Sequence, residues 1–295
     1  MFIVNHRKIW YTFSTILVLL SLFSIFYFGL NLSIDFTGGS LLEIEYKNQR
    51  PEKAVIEEAI SSASLSPASV QFSGERNVSI RLKTLSDEEH RNLLSRLSST
   101  GEFTEIRFDS IGPVIGKELT KKSIYAIILV IVMIILYIAF AFRNASRPVS
   151  SFKYGLMAVV ALIHDVTAPI GVFAFLGKYF GVQIDILFVT AILTVLGFSV
   201  HDTIVVFDRI RENLKKGIGK TFEETVGFSI NQTIVRSINT SLTVMIVLLS
   251  LFFFGGETIK YFSLALILGV FFGTYSSIFL ASPLLVTIYK FQSKK

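Results

Sequence analysis

Apolar and polar positions follow two rhythms along this chain. Six long apolar runs, Ile9–Leu30, Ser123–Phe142, Tyr154–Leu176, Ile184–Phe207, Val226–Phe254 and Tyr261–Tyr289, each hold at least 20 residues. A helix rises ~1.5 Å per residue, so about 20 residues cross the ~30 Å hydrocarbon core of a bilayer. The runs take up about half of the 295 residues, which predicts a polytopic α-helical membrane protein with six transmembrane helices. The first run follows Arg7 and Lys8 as a signal peptide would. Its apolar stretch exceeds the usual ~7–15 residues and no small-x-small cleavage site follows, so it reads as a retained anchor.

Between the first two runs the rhythm shortens. Leu42, Ile44 and Tyr46 alternate with Glu43 and Glu45 as in a half-buried strand, and Val55, Ile56, Ala59, Ile60 and Ala63 recur at helical spacing behind Pro51. Val70 and Phe72, then Val78, Ile80 and Leu82, flank Gly74 as a hairpin. Ser86 and Glu89 form a capping box ahead of Leu93, Leu94 and Leu97; Phe103, Ile106 and Phe108 mark a last strand. The order β-α-β-β-α-β predicts a ferredoxin-like α+β domain. The predicted organisation is residues 1–30 as N-terminus and first helix, 31–122 as the α+β domain, and 123–295 as helices two to six with the C-terminus.

Charge orients this arrangement. Thirteen basic residues fall at the two termini and in the loops between spans two and three and between four and five, against Lys178 and Lys260 in the short loops opposite. Both termini are therefore expected in the cytoplasm, and the 31–122 domain outside it. That domain carries 12 Lys/Arg against 14 Asp/Glu, a balance that argues against a phosphate-binding surface and hence against nucleic acid. The overall charge of +6 encodes topology.

Composition removes several chemistries. With no cysteine there is no disulfide framework, thiolate catalysis or Cys-ligated metal. Gly219-Lys220-Thr221 resembles the end of a phosphate-binding loop, but Leu214 occupies the place of its first glycine. His164-Asp165 and His201-Asp202 resemble hydrolase dyads, yet only four histidines exist and His6 and His90 lie far away in topology. No enzyme active site, cofactor or metal site is expected.

The informative residues are ionisable groups inside the spans: His164 and Asp165, His201 and Asp202, and Arg236. Each such group costs ~2.5–3.5 kcal/mol at a helix centre on insertion scales, so it pairs or lines a watery path. Asp202 and Arg236 each stand 17 residues from Gly219 in the connecting loop, which predicts similar depth and a meeting of the two side chains. Two readings follow: a proton carrier, with Arg236 as counter-ion because Arg stays charged, or a static salt bridge joining two helices. Asp165 is either a further proton-pathway residue or a partner for a helix kinked at Pro169, and His201 either a relay or a packing group.

Glycines add two expectations. Asp35-Phe36-Thr37-Gly38-Gly39-Ser40 and Ile111-Gly112-Pro113-Val114-Ile115-Gly116-Lys117-Glu118 flank the domain, either as tight turns or as hinges at Gly38, Gly39, Gly112 and Pro113. Ala265, Gly269, Gly273 and Ser277 form a small-residue seam on span six, suited to close helix packing within the chain or with a partner.

Three segments carry a family resemblance. Gly197-Phe198-Ser199-Val200-His201-Asp202-Thr203 and its continuation to Asn213, Asn231-Gln232-Thr233-Ile234-Val235-Arg236-Ser237, and Asp35-Phe36-Thr37-Gly38-Gly39 resemble the SecF signature of the SecD/SecF family. The resemblance spans nearly the whole chain. It implies a bacterial inner-membrane subunit that works with SecD and the proton-motive force to assist export of unfolded polypeptide through SecYEG, which SecA drives, with YajC and YidC as further neighbours. It implies kinship to resistance-nodulation-division transporters, and it matches Asp202 and Arg236 to the family's intramembrane acid and base. His201 departs from the Asn often found there, and the family's other essential acid belongs to SecD. A proton-driven small-molecule exporter half and a passive translocon assembly factor are the alternatives.

Overall fold

The computed structural model describes residues 1–66, 69–142 and 149–293. Arg143, Arg147, Lys294 and Lys295, four of the basic residues in the charge pattern, lie outside them. The chain divides into two compact units, Asn31–Ile124 and Met1–Leu30 with Tyr125–Lys295.

The smaller unit opens with α3 (Ile34–Thr37), which follows α1 (Phe2–Asn5) and α2 (Arg7–Phe28) in the chain. It continues as β1 (Gly39–Tyr46), α4 (Lys53–Ser62), β2 (Ser69–Ser73), β3 (Asn77–Leu82), α5 (Asp87–Leu97) and β4 (Phe103–Ile111). The four strands form one sheet in the order β2-β3-β1-β4, and every neighbouring pair is antiparallel. Leu42, Ile44 and Tyr46 of β1 and Val78, Ile80 and Leu82 of β3 are buried against Ile56 and Ile60 of α4 and Leu93 and Leu97 of α5. Both helices therefore cover one face of the sheet, as strict two-residue alternation on β1 and β3 requires. The Tyr46 hydroxyl escapes the apolar layer by bonding Thr100 Oγ1 at 2.7 Å. Ser86 accepts from the Glu89 amide while the Glu89 carboxylate accepts from the Ser86 amide, closing the capping box of α5.

Ile106 departs from its expected place in the core. Phe103 pairs with Tyr46 and Phe108 with Leu42, both on the buried side, yet five positions separate the two phenylalanines where alternation allows only an even number. A bulge absorbs the odd residue: Glu43 pairs with Arg107 and Ile44 with Glu105, so Ile106 has no partner and is 54% exposed.

The two glycine-rich junctions around this unit lie against each other. Pro113 is the first residue of α6 (Pro113–Ala141), where its fixed φ suits a helix start and its missing N–H costs nothing. The second junction shrinks accordingly, leaving Gly112 outside the helix. The two junctions also touch backbone to backbone. A Cβ on Gly38 would lie 2.8 Å from Pro113 Cα, and one on Gly116 would lie 2.9 Å from the Gly38 amide nitrogen. Gly38 and Gly39 both have positive φ, +73° and +123°.

The larger unit contains α1, α2, the remainder of α6, α7 (Ser151–Phe180), α8 (Ile186–Lys215), α9 (Phe222–Phe254) and α10 (Glu257–Ser276). A single π-helical turn, Ser277–Ala281, joins α10 to α11 (Ser282–Ser293). Among the described residues six helical stretches are long and apolar enough to cross a membrane, α10, the π turn and α11 counting as one, and the protein is multi-pass. Of these, α7, α8 and the α10–α11 rod supply most of the buried interior, whereas α2, α6 and α9 turn most of their apolar surface outward. Close helix approach depends on small residues. A Cβ at Gly269 would overlap the Val195 methyl groups, and one at Gly273 would come within 3.0 Å of Ser199 Cβ, so the span-six seam packs on α8.

Candidate functional site

The polar groups of the larger unit converge where α7, α8, α9 and α10 meet. Asp165 on α7 has no exposed surface and Asp202 on α8 has 7%. Asp165 sits one turn before Pro169, whose ring leaves the Asp165 carbonyl without its usual helical donor. Its side chain is saturated: Oδ1 lies 2.9 Å from His164 Nδ1, and Oδ2 accepts from Ser199 Oγ on α8 at 2.5 Å and from Ser276 Oγ on α10 at 2.7 Å. One carboxylate thus ties three spans together.

Ser199 and Asp202 are three residues apart and share a face of α8. Asp202 Oδ1 accepts from Ser237 Oγ on α9 at 2.6 Å, but its Oδ2 is buried with no hydrogen-bond partner among the described residues. Around this pair a shell of hydroxyls continues. Thr203 Oγ1 meets Ser277 Oγ at 2.8 Å and Ser241 Oγ meets Thr274 Oγ1 at 2.5 Å. Ser277 is the first residue of the π turn, a helix defect that recurs at functional sites.

Arg236 does not meet Asp202. The expected depth was right, because the neighbouring residue Ser237 touches Asp202; successive residues on a helix diverge by ~100°, so Arg236 faces elsewhere. It is exposed and forms no ion pair among the described residues. With Asp208, Arg209 and Gln232 it lines a cavity of ≈ 220 Å³ between α8 and α9. The anticipated acid–guanidinium pair is therefore corrected to an acid–serine pair within this chain. His201, next to Asp202 in the chain, is exposed and forms no hydrogen bond to the buried network among the described residues.

Ser199, Ser237 and Ser276 escaped the sequence reading because serine is common and cheap in membrane helices. The available signal was their placement: Ser199 falls on the Asp202 face of α8, and Ser276 beside the small-residue seam. Among the described residues no group of three His, Cys, Asp or Glu is placed to hold a metal ion. The network can hold, release and redistribute protons among two carboxylates, one imidazole and hydroxyls that both donate and accept.

Comparisons with known proteins fit this geometry. A family model described as protein export membrane protein SecD/SecF, C-terminal, matches residues 92–291, and a SecD/SecF GG motif model matches 23–49, the stretch holding Gly38 and Gly39. The protein translocase subunit SecF of Thermobaculum terrenum is 47% identical over 97% of this chain and 93% of its own length. That of Anaerolinea thermophila is 40% identical over 96% and 92%. The crystal structure of SecDF from Thermus thermophilus, described as a translocon-associated membrane protein, superimposes with a TM-score of 0.85 at 32% identity, covering 97% of this chain and 38% of that one. A SecDF structure in a super-membrane-facing form matches at a TM-score of 0.70 and 30% identity, covering 99% and 39%. The chain thus spans well under half of each SecDF polypeptide.

Proposed function

We propose that this chain, which belongs to the SecD/SecF family of protein export membrane proteins, is the SecF-type subunit of a Sec translocase and uses the proton-motive force, with a SecD-type partner, to assist polypeptide export. The partner supplies the part of the SecDF polypeptide that this chain does not span. The assembly sits in the bacterial cytoplasmic membrane with both termini inside. It serves SecYEG, with SecA driving translocation and YajC and YidC as neighbours. The Asn31–Ile124 unit lies on the outer side, and its element order and sheet order are those of a ferredoxin-like domain.

One observation carries the proton reading: Asp202, buried between α8 and α9, has one oxygen bonded to Ser237 and the other without a hydrogen-bond partner among the described residues. A buried carboxylate oxygen without a partner costs free energy until a proton, a water or a moving side chain meets it. A group whose partner must come and go is what a proton-driven device requires. Arg236, beside the Asp202 contact but aimed into the cavity with Asp208 and Arg209, is the counter-charge available from this chain when the helices move. Asp165 and His201 complete the proposed proton pathway. Gly38, Gly39, Gly112 and Pro113 move as one neck that transmits the shift to the outer domain, and Gly269 and Gly273 keep α10 on α8 while it does so.

Substitution separates the alternatives. Asp202→Asn removes the exchangeable proton while keeping size and the Ser237 contact. It should abolish gradient-stimulated export while basal ATP-driven export and recovery of the partner complex stay normal. Unchanged stimulation with an intact complex refutes the proton role and leaves the assembly-factor reading. Altered drug tolerance with normal secretion points to the exporter reading.

A further inference from the structure

His164 is the buried titratable group that the proposal above does not use. Its side chain is 2% exposed, and Nδ1 lies 2.9 Å from Asp165 Oδ1. Nε2 is buried with no hydrogen-bond partner among the described residues. A packing histidine satisfies both ring nitrogens; this one is bonded at one end and open at the other. Its ring stands 5.8 Å from the Tyr275 ring and 6.2 Å from that of Phe272, both on α10.

The geometry points to His164 as a second proton-binding site of the network, taking a proton at Nε2 and holding it against Asp165. In the empty state Nδ1–H donates to the Asp165 carboxylate and Nε2 carries a lone pair. Loading forms an Nε2–H bond as the O–H bond of a hydrated proton, or of protonated Asp202, breaks. No electrons are exchanged, and release reverses the step. The loaded pair is an imidazolium beside a carboxylate, net neutral, whereas the empty pair leaves one uncompensated charge in a site with no exposed surface. Two serines then connect the dyad to the rest of the bundle. Ser199 binds Asp165 one turn before Asp202, and Ser276 binds it at the edge of the π turn. A π turn is a helix defect that can be shifted by local rearrangement of its hydrogen bonds, so the charge of the dyad is felt where α10 passes into α11.

The titratable neighbours are few. On α7 itself there is Asp165, on α10 Tyr275, and on α8 Asp202. From α2, Ser14 reaches this layer by bonding the Tyr275 hydroxyl at 3.2 Å. The charged residues of α2, Arg7 and Lys8, stand in its first turn, and Arg7 pairs with Glu223, as does Lys290 of α11. The π turn contributes Ser277. Exchange at His164 therefore reports on Asp165 and Asp202 above all.

The inference rests on the proton reading of Asp202, and one set of measurements tests the two separately. The chain has four histidines, so nitrogen-15 histidine labelling of the full chain in lipid nanodiscs resolves each imidazole by NMR, and His164→Gln assigns its signal. The His164 nitrogens should show both the neutral and the imidazolium form as the proton concentration is varied, in a ratio that changes in Asp202→Asn. His164→Gln keeps a donor for Asp165 but cannot titrate; it should lower gradient-stimulated export about tenfold and flatten its pH profile, with the partner complex recovered normally. Should that variant fail to accumulate, Asp165→Asn is read on the His164 signal, whose titration should then shift. A His164 signal that keeps one protonation state throughout, or full export in His164→Gln, overturns the inference while a defective Asp202→Asn leaves the proposed function standing. Normal export in Asp202→Asn removes the proposed function itself.

Discussion

Replacing Gly39 by alanine tests whether the neck of the outer unit is held by backbone geometry. Gly39 has φ +123°, a conformation closed to residues with a Cβ. Backbone strain of that kind costs about 1–3 kcal/mol. The added methyl would also stand 2.6 Å from the Leu82 carbonyl oxygen. Because Ser40 pairs with Leu82, relief must come from parting β1 and β3 at their shared end, and overpacking of this sort costs about 1–3 kcal/mol more. The sum, about 2–6 kcal/mol, is a large share of the ~5–15 kcal/mol that holds a typical domain together. Gly112→Ala is the control: its φ is not positive and a Cβ there meets nothing within 4 Å, so the change should stay within about 0.5 kcal/mol. Hydrogen exchange of the full chain in detergent, read on β1 and β3, should show Gly39→Ala losing protection by about thirtyfold or more and Gly112→Ala unchanged. Equal protection in the two variants refutes the reasoning.

Two further outcomes follow from local geometry. Glu89, at the start of α5, is held below the usual carboxylate range by the amide and hydroxyl of Ser86. A carboxylate with a depressed folded-state pKa stabilises above its ordinary pKa and loses that contribution as pH falls through the folded value. Exchange protection of α5 should therefore fade as acidification carries Glu89 through and below its ordinary carboxylate range, Ser86→Ala should remove about 1 kcal/mol at neutral pH, and Glu89→Gln should flatten the acid limb. In the membrane unit, Gly269→Ala drives a methyl into Val195 and should destabilise the bundle by about 1–3 kcal/mol in thermal unfolding. Val195→Ala in the same chain should restore part of that loss, a non-additivity that independent sites would not show.

Hydrophobic rhythm made most of the architecture legible, and the failures have local causes. Leu42, Ile44 and Tyr46 announced β1 because a strand buried on one face must alternate. Ile106 misled because a bulge breaks that alternation, and no residue type at Ile106 or Glu43 signals the extra position. Pro113 read as a junction because proline usually ends a helix, whereas here it starts one. In the site, counting from Gly219 fixed the depth of Asp202 on its helix pair but not the azimuth. An error of one residue in depth is ~1.5 Å, but in direction ~100°. Hence Ser237 occupies the place expected of Arg236. Charged residues inside apolar runs stand out because they are costly; the serines that serve them do not.

The prevalence of serine in this network has a physical reason. An ionised carboxylate only accepts hydrogen bonds, and a protonated one must also donate. A lysine or backbone amide facing such a group satisfies the first state and is left facing another donor in the second. A hydroxyl serves both by rotating, provided its own hydrogen has another acceptor to turn to. Ser276 meets that condition: its Oγ is 2.7 Å from Asp165 Oδ2 and 3.1 Å from the Gly273 carbonyl oxygen. The helix backbone supplies the second acceptor one turn back, so any serine beside an intramembrane acid brings its alternative partner with it. Asp165 and Asp202 can then change protonation without breaking the contacts that tie α7, α8, α9 and α10 together, and motion in this network arises at Asp202 Oδ2 and His164 Nε2, which have no hydrogen-bond partner among the described residues.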